Sequence, residues 1–116
     1  MKSYFLQLLP IVSVETSKEH LTENLYTKTN TFHEFEKIKY AVDLIINNPE
    51  TEKEEIIGDA HYYIQNDILY LEMIQVHPSK QGSGYGTLLM KSIIQKAISL
   101  HCKRIELESR EEAIHF

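Results

Sequence analysis

Apolar positions along the chain follow a strand pattern and then a helix pattern. From Ile68 to Val76 the residues are apolar or aromatic with few interruptions, and Pro78 follows, which predicts a buried strand. From Thr87 to Leu100 apolar residues recur at 89, 93, 97 and 100, with a second row at 90, 94 and 98. This is the spacing of one broad helix face. The pattern therefore predicts a strand, a short connection and a helix.

The chain before this unit predicts a three-stranded antiparallel meander between Phe32 and Val76. Residues 37–46 begin by alternating, an Asn-Asn-Pro turn follows, and residues 56–64 form the next strand. Asn66-Asp67 is expected to close the second hairpin, because Asn tolerates positive φ. Three tyrosines of these strands are expected either to line a groove or to pack against each other across neighbouring strands. They are Tyr62, Tyr63 and Tyr70.

The N-terminal segment is predicted to hold a strand and a short helix. Ser3–Val12 is too short to cross a bilayer, is interrupted by Gln7 and Pro10, and lacks a small-residue cleavage site. We therefore predict a first strand and no export signal. Ser17–Tyr26 is predicted to be helical, with Ser17 as its N-cap.

Three glycines at alternate positions join the predicted strand to the predicted helix. Gly82, Gly84 and Gly86 let the backbone curl with its amides facing one point. Since a helix N-terminus exposes unpaired N–H groups and a partial positive charge, this arrangement suits a phosphate or pyrophosphate. Thr87 departs from the Rossmann fingerprint, and the Gly-Lys-Ser/Thr of a P-loop does not occur. A tight strand-to-helix turn without a ligand is the alternative.

The loop carries a family resemblance. The run Gln81-Gly82-Ser83-Gly84-Tyr85-Gly86 fits the Gln/Arg-x-x-Gly-x-Gly/Ala signature of the GNAT-type N-acetyltransferases, and it follows a strand that ends in Val-x-Pro. Residues 103–116 resemble the fifth strand and the start of the last helix of that superfamily. The resemblance implies a single α+β domain over residues 1–116. Its mixed central sheet would be an antiparallel meander followed by a parallel strand–helix–strand unit.

The same resemblance implies the cofactor site. Acetyl-coenzyme A would lie between the fourth and fifth strands of the family fold, with its pyrophosphate on the loop amides and no metal. The pantetheine arm would pair like a missing strand with backbone groups of Ile74 and Val76. The implied cofactor-binding residues are Ile74, Gln75, Val76, Gln81, Gly82, Ser83, Gly84, Tyr85, Gly86 and Thr87.

Glu72 is the candidate catalytic residue. If the strand alternates regularly, its carboxylate shares a face with Ile74 and Val76, where a bare charge costs several kcal/mol unless it faces a polar cleft or is paired. Many relatives place a glutamate here as the base for the acceptor amine. An edge or salt-bridged glutamate is the alternative, and a bulge would change its direction.

At the C-terminal end, Ser109 and Glu112 make a capping box that predicts a helix. In the family this helix continues into a tyrosine, a Gly-Phe turn and two further strands, whereas this sequence stops at Phe116. We therefore expect the C-terminal part of the fold to be missing. A fifth strand without neighbours would leave an exposed sheet edge, for which a homodimer or strand exchange is one remedy.

Composition narrows the functional classes. A formal net charge of −5, with 12 Lys+Arg against 17 Asp+Glu, argues against a general nucleic-acid binder and favours cationic acceptors. The single cysteine, Cys102, excludes an internal disulfide, fits a reducing cytoplasm and is interpreted as packing. The six histidines show no ligand spacing, so a metal is not expected. His101 is predicted to end the helix in a left-handed turn.

Together these observations predict a cytoplasmic N-acetyltransferase that moves an acetyl group from acetyl-coenzyme A to a primary amine of a small molecule or protein by direct attack. No nucleic acid or membrane is expected as a partner. The competing hypotheses are a non-catalytic acetyl-coenzyme A binding or protein-interaction module derived from the same fold, and a remnant that folds poorly.

Overall fold

The structure is a computed structural model that describes residues 13–108 and 114–115. The predicted strand at Ser3–Val12 lies outside the described residues. The helices and strands, in chain order, are β1 (Ser13–His20), β2 (Leu25–His33), β3 (Ile38–Asn48), β4 (Lys53–Gln65), β5 (Ile68–Val76), a 3₁₀ turn (Pro78–Lys80), α1 (Tyr85–Ser99), β6 (Arg104–Leu107) and β7 (Ile114–His115).

The strands form one mixed sheet. β1 to β5 pair with their sequence neighbours in antiparallel fashion, and β6 lies parallel to β5 after the crossover through α1. β7 also lies parallel to β5, further along the same strand. The predicted α+β class is therefore confirmed, with an antiparallel meander followed by a parallel strand–helix–strand unit. In the family numbering used above, β5 and β6 take the places of the fourth and fifth strands.

The meander has two more strands than the sequence pattern predicted. The predicted helix at Ser17–Tyr26 is wrong, because Ser13–His20 and Leu25–His33 are antiparallel strands. The capping signal at Ser17 is local, whereas β2 carries β-branched threonines at 27, 29 and 31 that fit a pleated ladder. Pairing with β3 on its other side fixes β2 in extended form.

The core lies between the sheet and α1. Leu89, Ile93 and Ala97 form the buried face of the helix, which confirms the first apolar row except for Leu100, which is 41% exposed. In the second row only Met90 packs against the core, since Ile94 and Ile98 are 40% and 61% exposed. The buried face of the helix belongs to one core cluster with the fully buried residues of the sheet, which are Leu44, Ile57, Leu69, Leu71 and Ile74.

Two predicted turns are confirmed by positive φ values. Asn66 and Asp67 have φ of 54° and 62°, the left-handed pair that a two-residue type I′ hairpin requires. His101 has φ of 59° at the end of α1. The amides of His101 and Cys102 donate to the carbonyls of Ile98 and Ala97, which is the Schellman pattern.

The predicted C-terminal helix is wrong where it can be checked. Ile114 and His115 form a strand opposite Ile74 and Gln75, while Ser109 and Glu112 of the capping box lie outside the described residues. A capping box supplies only local bonds, and β5 offers an unpaired edge past its contact with β6.

One face of the sheet remains uncovered by any helix in the described part of the chain, and we call it the open face. Side chains alternate between the two faces of a sheet along each strand. The residues next in sequence to the core residues Tyr62 and Leu71 therefore point to the open face. Tyr63 and Tyr70 lie there, half-buried. None of the helices in residues 13–108 is long and apolar enough to cross a membrane.

Candidate functional site

The glycine loop between β5 and α1 has left-handed backbone at two of its three glycines. Gly82 and Gly84 have φ of 83° and 86°, a conformation that side chains rarely adopt. An added Cβ would meet nothing within 4 Å at either position, so the requirement for glycine is torsional. Gly84 is the N-cap of α1, and within the described part no side chain caps this helix start. The first amides of α1 therefore have no side-chain acceptor from an N-cap residue.

The loop is anchored to the end of β5. Gln81 donates from Nε2 to the carbonyl of Val76 at 2.9 Å, and the 3₁₀ turn at Pro78–Lys80 bridges the two residues. His77, which precedes Pro78, has the extended backbone that residues before proline favour, and its amide donates to the Ile57 carbonyl at 2.8 Å. The predicted loop residues from Gln81 to Thr87 are thus brought together at one end of β5.

A β-bulge in β5 sets the direction of Glu72. His61 pairs with Met73 and Tyr62 pairs with Leu71, so Glu72 is the extra residue of β5. The core-facing residues are 69 and 71 before the bulge and 74 and 76 after it. Regular alternation, which would put Glu72 on the face of Ile74 and Val76, is therefore broken, and Glu72 turns away from the core. It is half-buried beside the open face.

The parallel pairing of β5 and β6 ends at the same point. β6 pairs with residues 68–71 of β5, and the Glu108 amide donates to the Leu71 carbonyl at 2.9 Å. Further along, Ile74 and Gln75 pair with β7. Of the two β5 residues that the resemblance assigns to the pantetheine arm, Ile74 is thus already paired with β7, whereas Val76 is not part of that pairing.

A group of aromatic and acidic side chains surrounds Glu72 on the open face. We call it the open-face cluster, and its members are Tyr63, Tyr70, Glu72, Glu106 and Glu108. The rings of Tyr63 and Tyr70 stack with centroids 4.9 Å apart, so their role in cross-strand packing is confirmed. Tyr62, in contrast, is in the core and stacks on Tyr40 at 4.7 Å.

Tyr63 connects the cluster to β6. Its hydroxyl donates to a carboxylate oxygen of Glu108 at 2.5 Å. This hydrogen bond, followed by burial and the charges of Glu108 and Glu72, raises the pKa of Tyr63 to about 12. Tyr63 therefore stays protonated and holds Glu108 in place. Glu108 was not predicted from the sequence, although it follows Glu106 by two residues and so lies on the same side of the extended chain, just after β6.

A cavity of about 450 Å³ lies on the other side of the sheet, beneath α1. Its lining comes from β1 to β4 and from the helix between Ser92 and Ser99, and it includes Lys18, Tyr62 and Lys96. Because a helix rises about 1.5 Å per residue, Lys96 is roughly 18 Å from Gly84 along the axis. The cavity is therefore separate from the glycine loop.

The remaining reactive side chains do not assemble into a second centre. Cys102 packs against the core, and burial followed by the charge of Asp67 raises the pKa of its thiol, which disfavours a nucleophilic thiolate. Within residues 13–108 and 114–115 no group of three His, Cys, Asp or Glu could hold a metal ion.

Comparison with known proteins places this arrangement in a family. The model of the Acetyltransferase (GNAT) family matches residues 6–116, nearly the whole chain. No curated protein sequence matches this chain. The match spans both the glycine loop and the bulged strand that precedes it, so this chain belongs to the GNAT acetyltransferase family.

Proposed function

We propose that the protein is an acetyl-coenzyme A dependent N-acetyltransferase that acts on a primary amine by direct attack. The observation that carries the proposal is that one strand, β5, holds both ends of such a site. Its C-terminal end is fixed to the glycine loop through Gln81, and its bulge presents Glu72 where β5 and β6 part. Family membership supports acetyl transfer in general.

The loop fits the diphosphate of acetyl-coenzyme A. Gly82, Ser83 and Gly84 are exposed, the left-handed glycines turn the backbone, and the uncapped first turn of α1 offers N–H donors next to them. Since a strand rises about 3.3 Å per residue, Glu72 lies roughly 13 Å from Val76, towards the other end of the substrate. The thioester would then lie beside the bulge.

Glu72 would serve as the base, directly or through water. A protonated alkylamine has a pKa of about 10.4, so it must lose a proton before its nitrogen can attack near neutral pH. The neutral amine attacks the thioester carbonyl carbon, the C–S bond breaks, and the coenzyme A thiolate leaves. A thiol with a pKa near 8.5 is a fair leaving group, which water can reprotonate.

Acetyl-coenzyme A titration tests the proposal, with Gly84→Asp and Gly84→Asn as a matched pair. Both side chains tolerate the left-handed backbone of Gly84 and have nearly the same shape. Only Asp places a negative charge at the site of the pyrophosphate. We expect micromolar binding that Gly84→Asp weakens about tenfold more than Gly84→Asn. Equal affinities for the two variants, or no binding by the folded parent, would contradict the proposal.

A second prediction concerns β7, which pairs with Ile74, one of the two β5 residues that the pantetheine arm would use. Replacing Ile114 and His115 with proline removes both amide donors of β7. If β7 competes with the substrate, the loss of roughly 1 kcal/mol of backbone hydrogen bonding raises acetyl-coenzyme A affinity about fivefold. The double alanine variant keeps the donors and should match the parent. An unchanged or lower affinity in the proline variant would exclude competition.

The competing candidate is a non-catalytic acetyl-coenzyme A binding or protein-interaction module. The observation that favours it is the same pairing of β7 with Ile74 and Gln75, which occupies the edge of β5. Titration separates the two candidates from a chain without a cofactor site, and a turnover assay with amine acceptors separates them from each other. For the enzyme we propose a cytoplasmic location. A homodimer would cover the remaining sheet edge.

A further inference from the structure

We propose that the open-face cluster is the acceptor site, and that it selects a protonated primary amine at the end of a flexible alkyl chain, as in lysine side chains and linear diamines. This inference rests on the proposed function and names its substrate class. It assigns Tyr63 and Glu108 as residues that determine acceptor specificity.

An alkylammonium group of this chain already lies in the cluster. The Nζ atom of Lys37, from the short connection between β2 and β3, lies 4.4 Å from the centroid of the Tyr63 ring. Aromatic faces attract ammonium groups at such distances, and the stack of Tyr63 on Tyr70 holds the ring in position. Lys37 thus shows which ligand the surface accepts, namely an ammonium on a four-carbon chain.

The carboxylates of the cluster favour a cation over a neutral or anionic acceptor. Three glutamates share this region, and one of them is neutralised because Arg104 Nε contacts Glu106 Oε2 at 2.6 Å. Glu108 accepts a hydrogen bond from the Tyr63 hydroxyl and keeps further acceptor capacity. Glu72 is close enough to raise the pKa of Tyr63. The carboxylates of Glu72 and Glu108 are therefore both available to interact with one bound ammonium group.

The position of the cluster matches the chemistry proposed for β5. Glu72 is both the bulged residue and a member of the cluster, so an amine bound against Tyr63 lies near the base. The ammonium gives one proton to Glu72, its nitrogen bonds to the thioester carbon, and the C–S bond breaks. The nitrogen then loses its second proton to solvent as the amide forms. Lys37 must leave the Tyr63 face for an external amine to bind.

Binding of cadaverine, 1,5-diaminopentane, tests the inference without any need for turnover. Titration of the full chain is followed by the amide NMR shifts of Tyr63, Tyr70 and Glu108, with 1-pentanol as the neutral probe of similar length. We expect cadaverine to bind at the cluster and 1-pentanol not to bind. Lys37→Met should tighten cadaverine binding about fivefold because it removes the internal competitor. The control Lys91→Met changes an exposed lysine of α1, across the sheet from the cluster, and should leave cadaverine binding unchanged.

Two further variants separate recognition from folding. Glu108→Gln keeps an acceptor for the Tyr63 hydroxyl but removes the charge, and it should weaken cadaverine binding about fivefold. Tyr63→Phe keeps the ring and should bind more tightly than Tyr63→Leu. Equal binding of cadaverine and 1-pentanol, or no effect of Lys37→Met and Glu108→Gln, would overturn the inference. Acetyl-coenzyme A titration of the same samples shows separately whether the proposed function holds.

Discussion

Glu72→Gln is expected to lower the turnover number by about 10² to 10⁴-fold while acetyl-coenzyme A affinity stays within roughly twofold of the parent value. Gln is nearly isosteric with Glu, so the bulge and its backbone contacts are kept. It cannot accept a proton, so the acceptor amine stays protonated near neutral pH. The loss should therefore fall on turnover and not on cofactor binding.

Steady-state kinetics with saturating acetyl-coenzyme A and calorimetric titration of the same samples check this expectation. Glu106→Gln is a suitable control, because Glu106 lies in the same cluster but is paired with Arg104. It should retain most of the turnover. Normal turnover in Glu72→Gln would remove Glu72 as the base, and a parallel loss of affinity would point to a role in binding.

Gly58→Ala is expected to destabilise the fold by about 2–3 kcal/mol. Gly58 of β4 lies opposite Val76, and a Cβ at position 58 would be 2.7 Å from the Gln75 carbonyl oxygen and 3.3 Å from Val76 Cα. Both are backbone atoms of β5, so no flexible side chain can move aside. The two strands must separate where β5 leads into the glycine loop.

Urea unfolding, with the free energy extrapolated to water, measures this loss. Gly82→Ala is the matched control, since a Cβ there meets nothing within 4 Å and only the left-handed backbone is strained. We expect it to lose about 1 kcal/mol. A Gly58→Ala variant as stable as the parent would mean that β4 and β5 shift apart at little cost.

The sequence predicted those parts of the fold in which local pattern and tertiary contacts agree. The continuous apolar run of β5, the helical rows of α1 and the turn at Asn66 each determine one conformation by themselves. The glycine loop was predictable for the same reason, because left-handed backbone at Gly82 and Gly84 strongly favours a residue without Cβ.

Other features depend on partners that are distant in the sequence. The segment from Ser17 to Tyr26 has a helical cap signal, yet its conformation is decided by pairing of β1 with β2 and of β2 with β3. Similarly, the direction of Glu72 depends on where β4 and β5 lose register, and no residue type marks that point. The contact of Tyr63 with Glu108 joins residues 45 positions apart.

The order of the strands has a consequence for how the molecule folds. Every antiparallel partner follows its neighbour directly in the chain, so β1 to β5 can assemble by successive hairpin closures. β6 reaches β5 only after the glycine loop and α1 have been traversed, which makes its pairing the less local step. The point beside Glu72 where β5 and β6 part thus lies between the parts of the sheet that form in these two stages. The backbone amides at this point are expected to exchange with solvent by local unfolding that leaves the meander intact.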